Sequence, residues 1–175
     1  NPIAAAILDA VTAWHEPGHP LIVGICGTQA SGKTTACGQV AERLTAMGLS
    51  VGVMSLDDLY LGRAARAELA ATVHPLFATR GPPGTHDVAL GMEVLDAVRT
   101  GAPIRLPRFS KGMDEPFPEA EWPQLDMGCD IFLFEGWCVG AHAQPDAALV
   151  EPANALEREE DPDGVWRRSF TDHLR

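Results

Sequence analysis

"LIVGICGTQASGKTTACGQV", residues 21–40, changes character twice. Its first six residues are a short, branched, apolar run of the kind that forms a strand buried on both faces. From Lys33 onward, "KTTACGQVAERLTAM" reads as a helix stopping at Gly48, a good C-terminal cap. Between the two lies a loop of small residues. Gly27, four residues, Gly32, Lys33 and Thr34 fit G-x-x-x-x-G-K-[ST], the P-loop. The alternative is an ordinary glycine-rich turn. A chain of this length meets the full pattern by chance about once in a hundred, and here it also falls between a strand and a helix.

The residue types follow from the task. A triphosphate needs many donors converging from a concave backbone, and side chains there would block its approach. Gly27, Thr28, Gln29, Ala30, Ser31, Gly32 and Thr35 supply such a backbone, and the helix start adds unsatisfied N–H groups and a positive dipole end. Lys33 is expected to reach the β- and γ-phosphates of ATP as a point charge, and the Thr34 hydroxyl to ligate Mg²⁺.

Outward from the loop, strands and helices alternate. Residues 1–20 read as a helix and a turn cluster, "HEPGHP". "SVGVMSL" predicts a second buried strand, ending at Asp57 and Asp58, and "RAARAELAA" (63–71) a helix. "ATRGPPGTHD" is too rich in Gly and Pro for either element. Val88 to Arg99 is an amphipathic helix with Asp87 as a plausible cap, "PIRLP" a short strand, and 108–128 a polar loop. "DIFLFEG" is the third clear buried strand; after Gly140 the chain reads as loop until a helix near Val165. The pattern predicts an α/β protein with a P-loop NTPase-type three-layer fold, a mostly parallel sheet with helices on both faces, as a single domain over 1–175. The apolar runs at 21–26, 51–56, 104–106 and 131–134 are the strand candidates, and the chain starts without Met and stops inside its last helix. The expectation is therefore a C-terminally incomplete chain, lacking a last strand and lid.

Composition narrows the classes. Of 175 residues, 46% are hydrophobic and 21% charged, which suits a globular chain. A net charge of -11 argues against nucleic acid or anionic lipid as the main partner. The N-terminal stretch has no basic segment and is interrupted by Asp9, so it reads as neither signal peptide nor membrane span. Cys26, Cys37, Cys129 and Cys138 form no C-x-x-C pair, and reduced, structural cysteines of a cytoplasmic protein are expected. The oligomeric state is not legible.

Three carboxylates stand at strand ends. Glu135 closes "DIFLFEG" and can hold Mg²⁺ or poise the nucleophile. Asp57 and Asp58 follow the second strand at the sheet edge where open α/β folds bind ligands. A kinase acting on a hydroxyl needs a base there, and Asp57 is the first choice, Asp58 the second, with helix capping as the alternative for Asp58. The only asparagines are Asn1 and Asn154, neither in N-K-x-D, which argues against a signalling GTPase.

"GTQASGKTT", "SLDDLY", "RGPPGTHD", "LPRFSK" and "FLFEGW" together resemble D-glycerate 3-kinases in order and spacing. That family is similar to phosphoribulokinase, uridine kinase and pantothenate kinase. The resemblance spans roughly residues 20 to 170 and implies transfer of the γ-phosphoryl group of ATP to a small hydroxy acid, D-glycerate giving 3-phosphoglycerate. It implies Gly27 to Thr35 for ATP and Mg²⁺ and Asp57 as the acceptor-side base; with Glu135 read from its strand end, Lys33, Asp57 and Glu135 are the expected catalytic residues, and Thr34 with Glu135 the expected metal ligands. Asp58, Tyr60, Arg80, His86, Asp87, Arg108 and Lys111 would serve the acceptor: arginine for a carboxylate, His86 and Asp87 for hydroxyls. Trp137 either walls the pocket or packs in the core, and Asn154 resembles a family position. Two departures stand out. Phe109 and Ser110 replace an aromatic–aspartate pair, and no lid pattern surrounds Arg167 and Arg168. Related kinases with a nucleoside, pantothenate or sugar-phosphate acceptor, a non-catalytic nucleotide-binding module and a work-performing ATPase are the competing readings.

Overall fold

The computed structural model describes residues 1–175. In chain order the elements are α1 (Pro2–Trp14), β1 (Leu21–Cys26), α2 (Lys33–Ala46), β2 (Val51–Ser55), α3 (Arg63–Thr72), α4 (Val88–Thr100), β3 (Ile104–Arg105), β4 (Phe109–Ser110), β5 (Glu115–Pro116), β6 (Gln124–Leu125), β7 (Ile131–Gly136), α5 (Ala155–Glu160) and α6 (Val165–Asp172). The chain divides into two compact units. The first comprises Asn1–Leu59, Val88–Phe109 and Pro116–Gly140; the second comprises Tyr60–Asp87, Ser110–Glu115 and Ala141–Arg175.

The first unit is built on a three-stranded parallel sheet ordered β1-β7-β2. β7 is central, and its register aligns Glu135 with Ile25 on one side and Ser55 on the other. Parallel pairing buries both faces, so β7 is almost uniformly apolar and buried. Its side chains alternate between two cores. Ile131 and Leu133 join Val23, the α1 residues Ala4 and Val11, and the α2 residues Ala36, Cys37, Val40 and Leu44. Phe132 points the other way, into Met54, Val94 and Val98 of α4, and Ile104. Fully burying a side chain such as Phe132 contributes about 1.5–3 kcal/mol. Helices on both faces of a parallel sheet make the three-layer α/β arrangement that the alternating sequence predicts.

The second unit holds α3, α5 and α6. Its densest polar knot is Asp161, 2% exposed, whose carboxylate accepts from the amides of Trp166 and Arg167 and from the Arg167 guanidinium at 3.2 Å. Arg167 also donates to the carbonyls of Leu149 and Val150. The Asp161 carboxylate thus takes up two of the first amides of α6.

Three expectations need correction. Ile104–Arg105 pairs antiparallel with β6 and lies outside the parallel sheet. Prolines on either side leave it too short to propagate. The 108–128 segment is not wholly loop, since it carries β4, β5, β6 and a 3-10 turn at Glu119–Glu121. The acidic stretch after Gly140 contains α5, which Asn154 caps by accepting from the Glu157 amide at 3.0 Å. No helix is long and apolar enough to cross a membrane. All four cysteines are free thiols.

Candidate active site

The strand-to-helix loop has the backbone its sequence demands. Gly32 stands at φ 86, in the left-handed region, as the residue before α2. No side chain caps α2, so its first-turn amides are not covered by one. Ala30 is also left-handed, at φ 60, an uncommon state for a residue with a Cβ. Thr28 to Gly32 are exposed. At Gly27 a Cβ would fill the hollow of the loop, 3.1 Å from the Lys33 Cδ and the Ser31 Oγ. Lys33, half-buried, folds back so that Nζ donates to the Thr28 carbonyl at 2.8 Å. Its ammonium thereby spans the mouth of the loop.

Thr34 is the next residue of α2, and its hydroxyl donates to Oε1 of Glu135 at 2.7 Å. Glu135 is 3% exposed and is the last residue but one of the central strand. A buried carboxylate needs a partner, and the hydroxyl of Thr34 supplies one. Its charge reaches the α2 residue Cys37, whose thiol is pushed up to about 11 by burial first and by Glu135 second, with Lys33 opposing. A hydroxyl and a carboxylate are the hard oxygen donors that Mg²⁺ takes. The hollow at Gly27 and this donor pair fit a phosphate tail with its divalent ion.

Asp57 and Asp58 lie in a 3-10 turn, Leu56–Leu59, that packs against β7. They follow Ser55, the register partner of Glu135, so both acids stand at the same end of the sheet as Glu135. Their carboxylates differ in surroundings. Asp58 accepts from the amides of Ser55 at 3.2 Å and Phe109 at 3.4 Å and pairs with Arg108 at 3.4 Å. Burial still pushes the Asp58 carboxyl above its ordinary range, although Arg108 opposes it. Arg108 further donates to the carbonyl of Pro107. Asp58 and Arg108 thus tie the turn to the chain after β3. Trp137 is half-buried, and its carbonyl accepts from Cys26.

The remaining acceptor candidates belong to the second unit. The rings of Tyr60 and His86 stack at 4.7 Å, and their backbones form an isolated antiparallel bridge. Both residues are buried. Thr85 pins the "RGPPGTHD" loop, accepting from the Gly81 amide at 3.1 Å and donating to the Pro82 carbonyl at 2.7 Å. Asp87 is half-buried and Lys111 exposed. Arg80 pairs with Asp114, which also takes the guanidinium of Arg66. Neither Asp114 nor Arg66 was marked by any sequence pattern. Their contacts join positions 34 and 48 residues apart, beyond the reach of a local motif.

No family model matches the chain. An uncharacterized kinase of Schizosaccharomyces pombe, mug58, is 37% identical over 132 residues, which is 70% of this chain and 48% of the relative. The chloroplastic D-glycerate 3-kinase of Arabidopsis thaliana is 29% identical over 136 residues, 72% of this chain and 30% of that protein. Among solved structures, a D-glycerate 3-kinase from Cryptococcus neoformans superimposes with a TM-score of 0.72 at 24% identity, covering 99% of this chain and 65% of that one. The chain spans about half or less of the curated relatives it matches. The resemblance to D-glycerate 3-kinases and their P-loop kinase relatives is borne out, and the fold is that of P-loop kinases.

Proposed function

We propose that this chain carries the nucleotide-binding core of an ATP-dependent kinase that phosphorylates the hydroxyl of a small hydroxy acid, D-glycerate giving 3-phosphoglycerate. The observation that carries the reading is the Thr34–Glu135 contact at 2.7 Å beside a hollow loop whose Lys33 ammonium spans it. A glycine-rich turn built only for folding has no use for a buried acid at that point. The D-glycerate 3-kinases among its relatives support the choice of acceptor.

The loop amides and the start of α2 bind the phosphate oxygens, and Lys33 leaves the Thr28 carbonyl to follow the moving charge. Thr34 and Glu135 would hold Mg²⁺, which supplies neutralisation of charge on the phosphates when bound. Asp57 takes the proton of the acceptor hydroxyl as its oxygen bonds to the γ-phosphorus and the bond to the β,γ-bridging oxygen breaks, releasing ADP. Asp58 and Arg108 hold the turn that carries Asp57. Arg80 reads the acceptor carboxylate, and His86, Asp87, Tyr60 and Lys111 are assigned to the acceptor with it. Four free cysteines support a reducing, cytoplasmic setting.

The test is the full chain incubated with ATP, Mg²⁺ and D-glycerate, with the product followed by mass. Phosphoglycerate formation that Lys33→Ala abolishes is the expected result. Acceptor-dependent ADP release only with nucleosides, pantothenate or sugar phosphates would move the chain to a sister kinase. ATP binding with no acceptor-dependent release would make it a non-catalytic module, and release without any acceptor an ATPase.

A further inference from the structure

The second unit contains a charge cluster centred on Asp114. This residue lies in the Ser110–Glu115 segment at φ 59, where its amide donates to the Ser110 carbonyl at 2.7 Å. Its two carboxylate oxygens are divided: Oδ2 accepts from Nη2 of Arg66, and Oδ1 accepts from Nη1 of Arg80. Arg66 is 2% exposed and fixed on α3, with Nη1 donating to the Leu61 carbonyl at 2.9 Å. Arg80, by contrast, is about a third exposed and opens the "RGPPGTHD" loop. A buried cation therefore holds the carboxylate, and the carboxylate holds a partly exposed cation. Two guanidiniums against one carboxylate leave the cluster net positive.

An arginine side chain loses rotamer freedom on binding, and a guanidinium already fixed has less of it to lose. We propose that Asp114 is a positioning residue: anchored by buried Arg66, it presets the Arg80 guanidinium to receive the carboxylate of a hydroxy-acid acceptor. The inference rests on the reading of Arg80 as the residue that meets that carboxylate. The state of Asp114 suits the task. The hydrogen bond from Arg66 lowers its carboxyl below the ordinary 3.8 against a loss of water, and the bond from Arg80 adds to the lowering. It is ionised throughout the neutral range, so the carboxylate keeps its hold on Arg80 there.

Titration calorimetry of D-glycerate into the full chain, with Asp114→Asn, Arg80→Ala and the double variant, tests the assignment. Asparagine tolerates the left-handed backbone, so the turn is kept; Asp114→Gly, which keeps it too, should repeat the effect. Asp114→Asn is expected to weaken D-glycerate by about ten- to a hundred-fold, as misplacement of a binding group does, with ATP affinity unchanged. The double variant should bind no worse than Arg80→Ala alone, because Asp114 acts through Arg80. Without any acceptor, the Nε–Hε signal of Arg80 in NMR should be sharp in the unaltered chain and broadened in Asp114→Asn. Unchanged D-glycerate affinity in Asp114→Asn alongside a loss in Arg80→Ala would overturn the positioning role while leaving the assignment of Arg80 standing. So would fully additive losses in the double variant, or an Arg80 signal that ignores Asp114. D-glycerate binding that survives Arg80→Ala undiminished would remove Arg80 from the acceptor site and take this inference with it.

Discussion

Two neighbouring aspartates, Asp57 and Asp58, share one 3-10 turn but differ in their contacts. Asp58 spends its oxygens on two backbone amides and Arg108. Asp57, one residue earlier in the same turn, has its amide tied to the Ser55 hydroxyl at 3.3 Å, which orients it from the backbone side. In the proposed mechanism the base role is given to Asp57. Asp57→Asn should retain ATP affinity and lose about 10²–10⁴-fold in turnover, the usual contribution of a general base; near-normal turnover would take the residue out of that role. Asp58→Asn should register mainly in stability, at about 1–3 kcal/mol, because an amide cannot replace all three acceptor contacts. Single-turnover kinetics beside thermal unfolding separates the two effects.

At the scale of elements, the strand–loop–helix unit was legible because every requirement is local. Gly32, Lys33 and Thr34 are adjacent, and the backbone they impose is set within a few residues. Its strain pattern can be tested directly. Gly32→Ala places a Cβ at φ 86 and should cost about 1–2 kcal/mol, with ATP affinity falling in step as the amides are turned aside. Ala30→Gly should be neutral to about 1 kcal/mol stabilising, since relief at φ 60 is partly offset by the freer unfolded chain. Denaturant midpoints of the two variants give the comparison; equal shifts would mean the loop is not held in this conformation. Other elements were harder to read for physical reasons. β3 resembles a buried strand by composition, but its partner β6 lies about twenty residues on in a proline-broken stretch, and antiparallel register leaves no trace in either run. The helix α5 hides in an acidic sequence that has no apolar face to announce it, and its start depends on the Asn154 cap.

At the scale of the whole molecule, 24 acidic residues against 13 basic ones make the acid response informative. Most of these carboxylates are exposed. Asp114 differs because Arg66 and Arg80 depress its carboxyl in the folded state. A depressed folded value means that the unfolded chain binds the proton more readily. The stabilisation is then fully present above the ordinary carboxylate value of 3.8 and is lost as pH falls through the lower folded value. Asp58, raised by burial, has the opposite sign and eases as it protonates. Comparing the unaltered chain with Asp114→Asn isolates the first effect, since Asp58 is common to both. The stability gap between them should be constant from neutrality down to the ordinary carboxylate range, then close with further acid; Arg63 and Glu115, the adjacent exposed pair, are the same in both proteins. Urea midpoints measured at a series of pH values follow the gap. One that stays open to the acid end would mean that Asp114 contributes through shape and not through its charge.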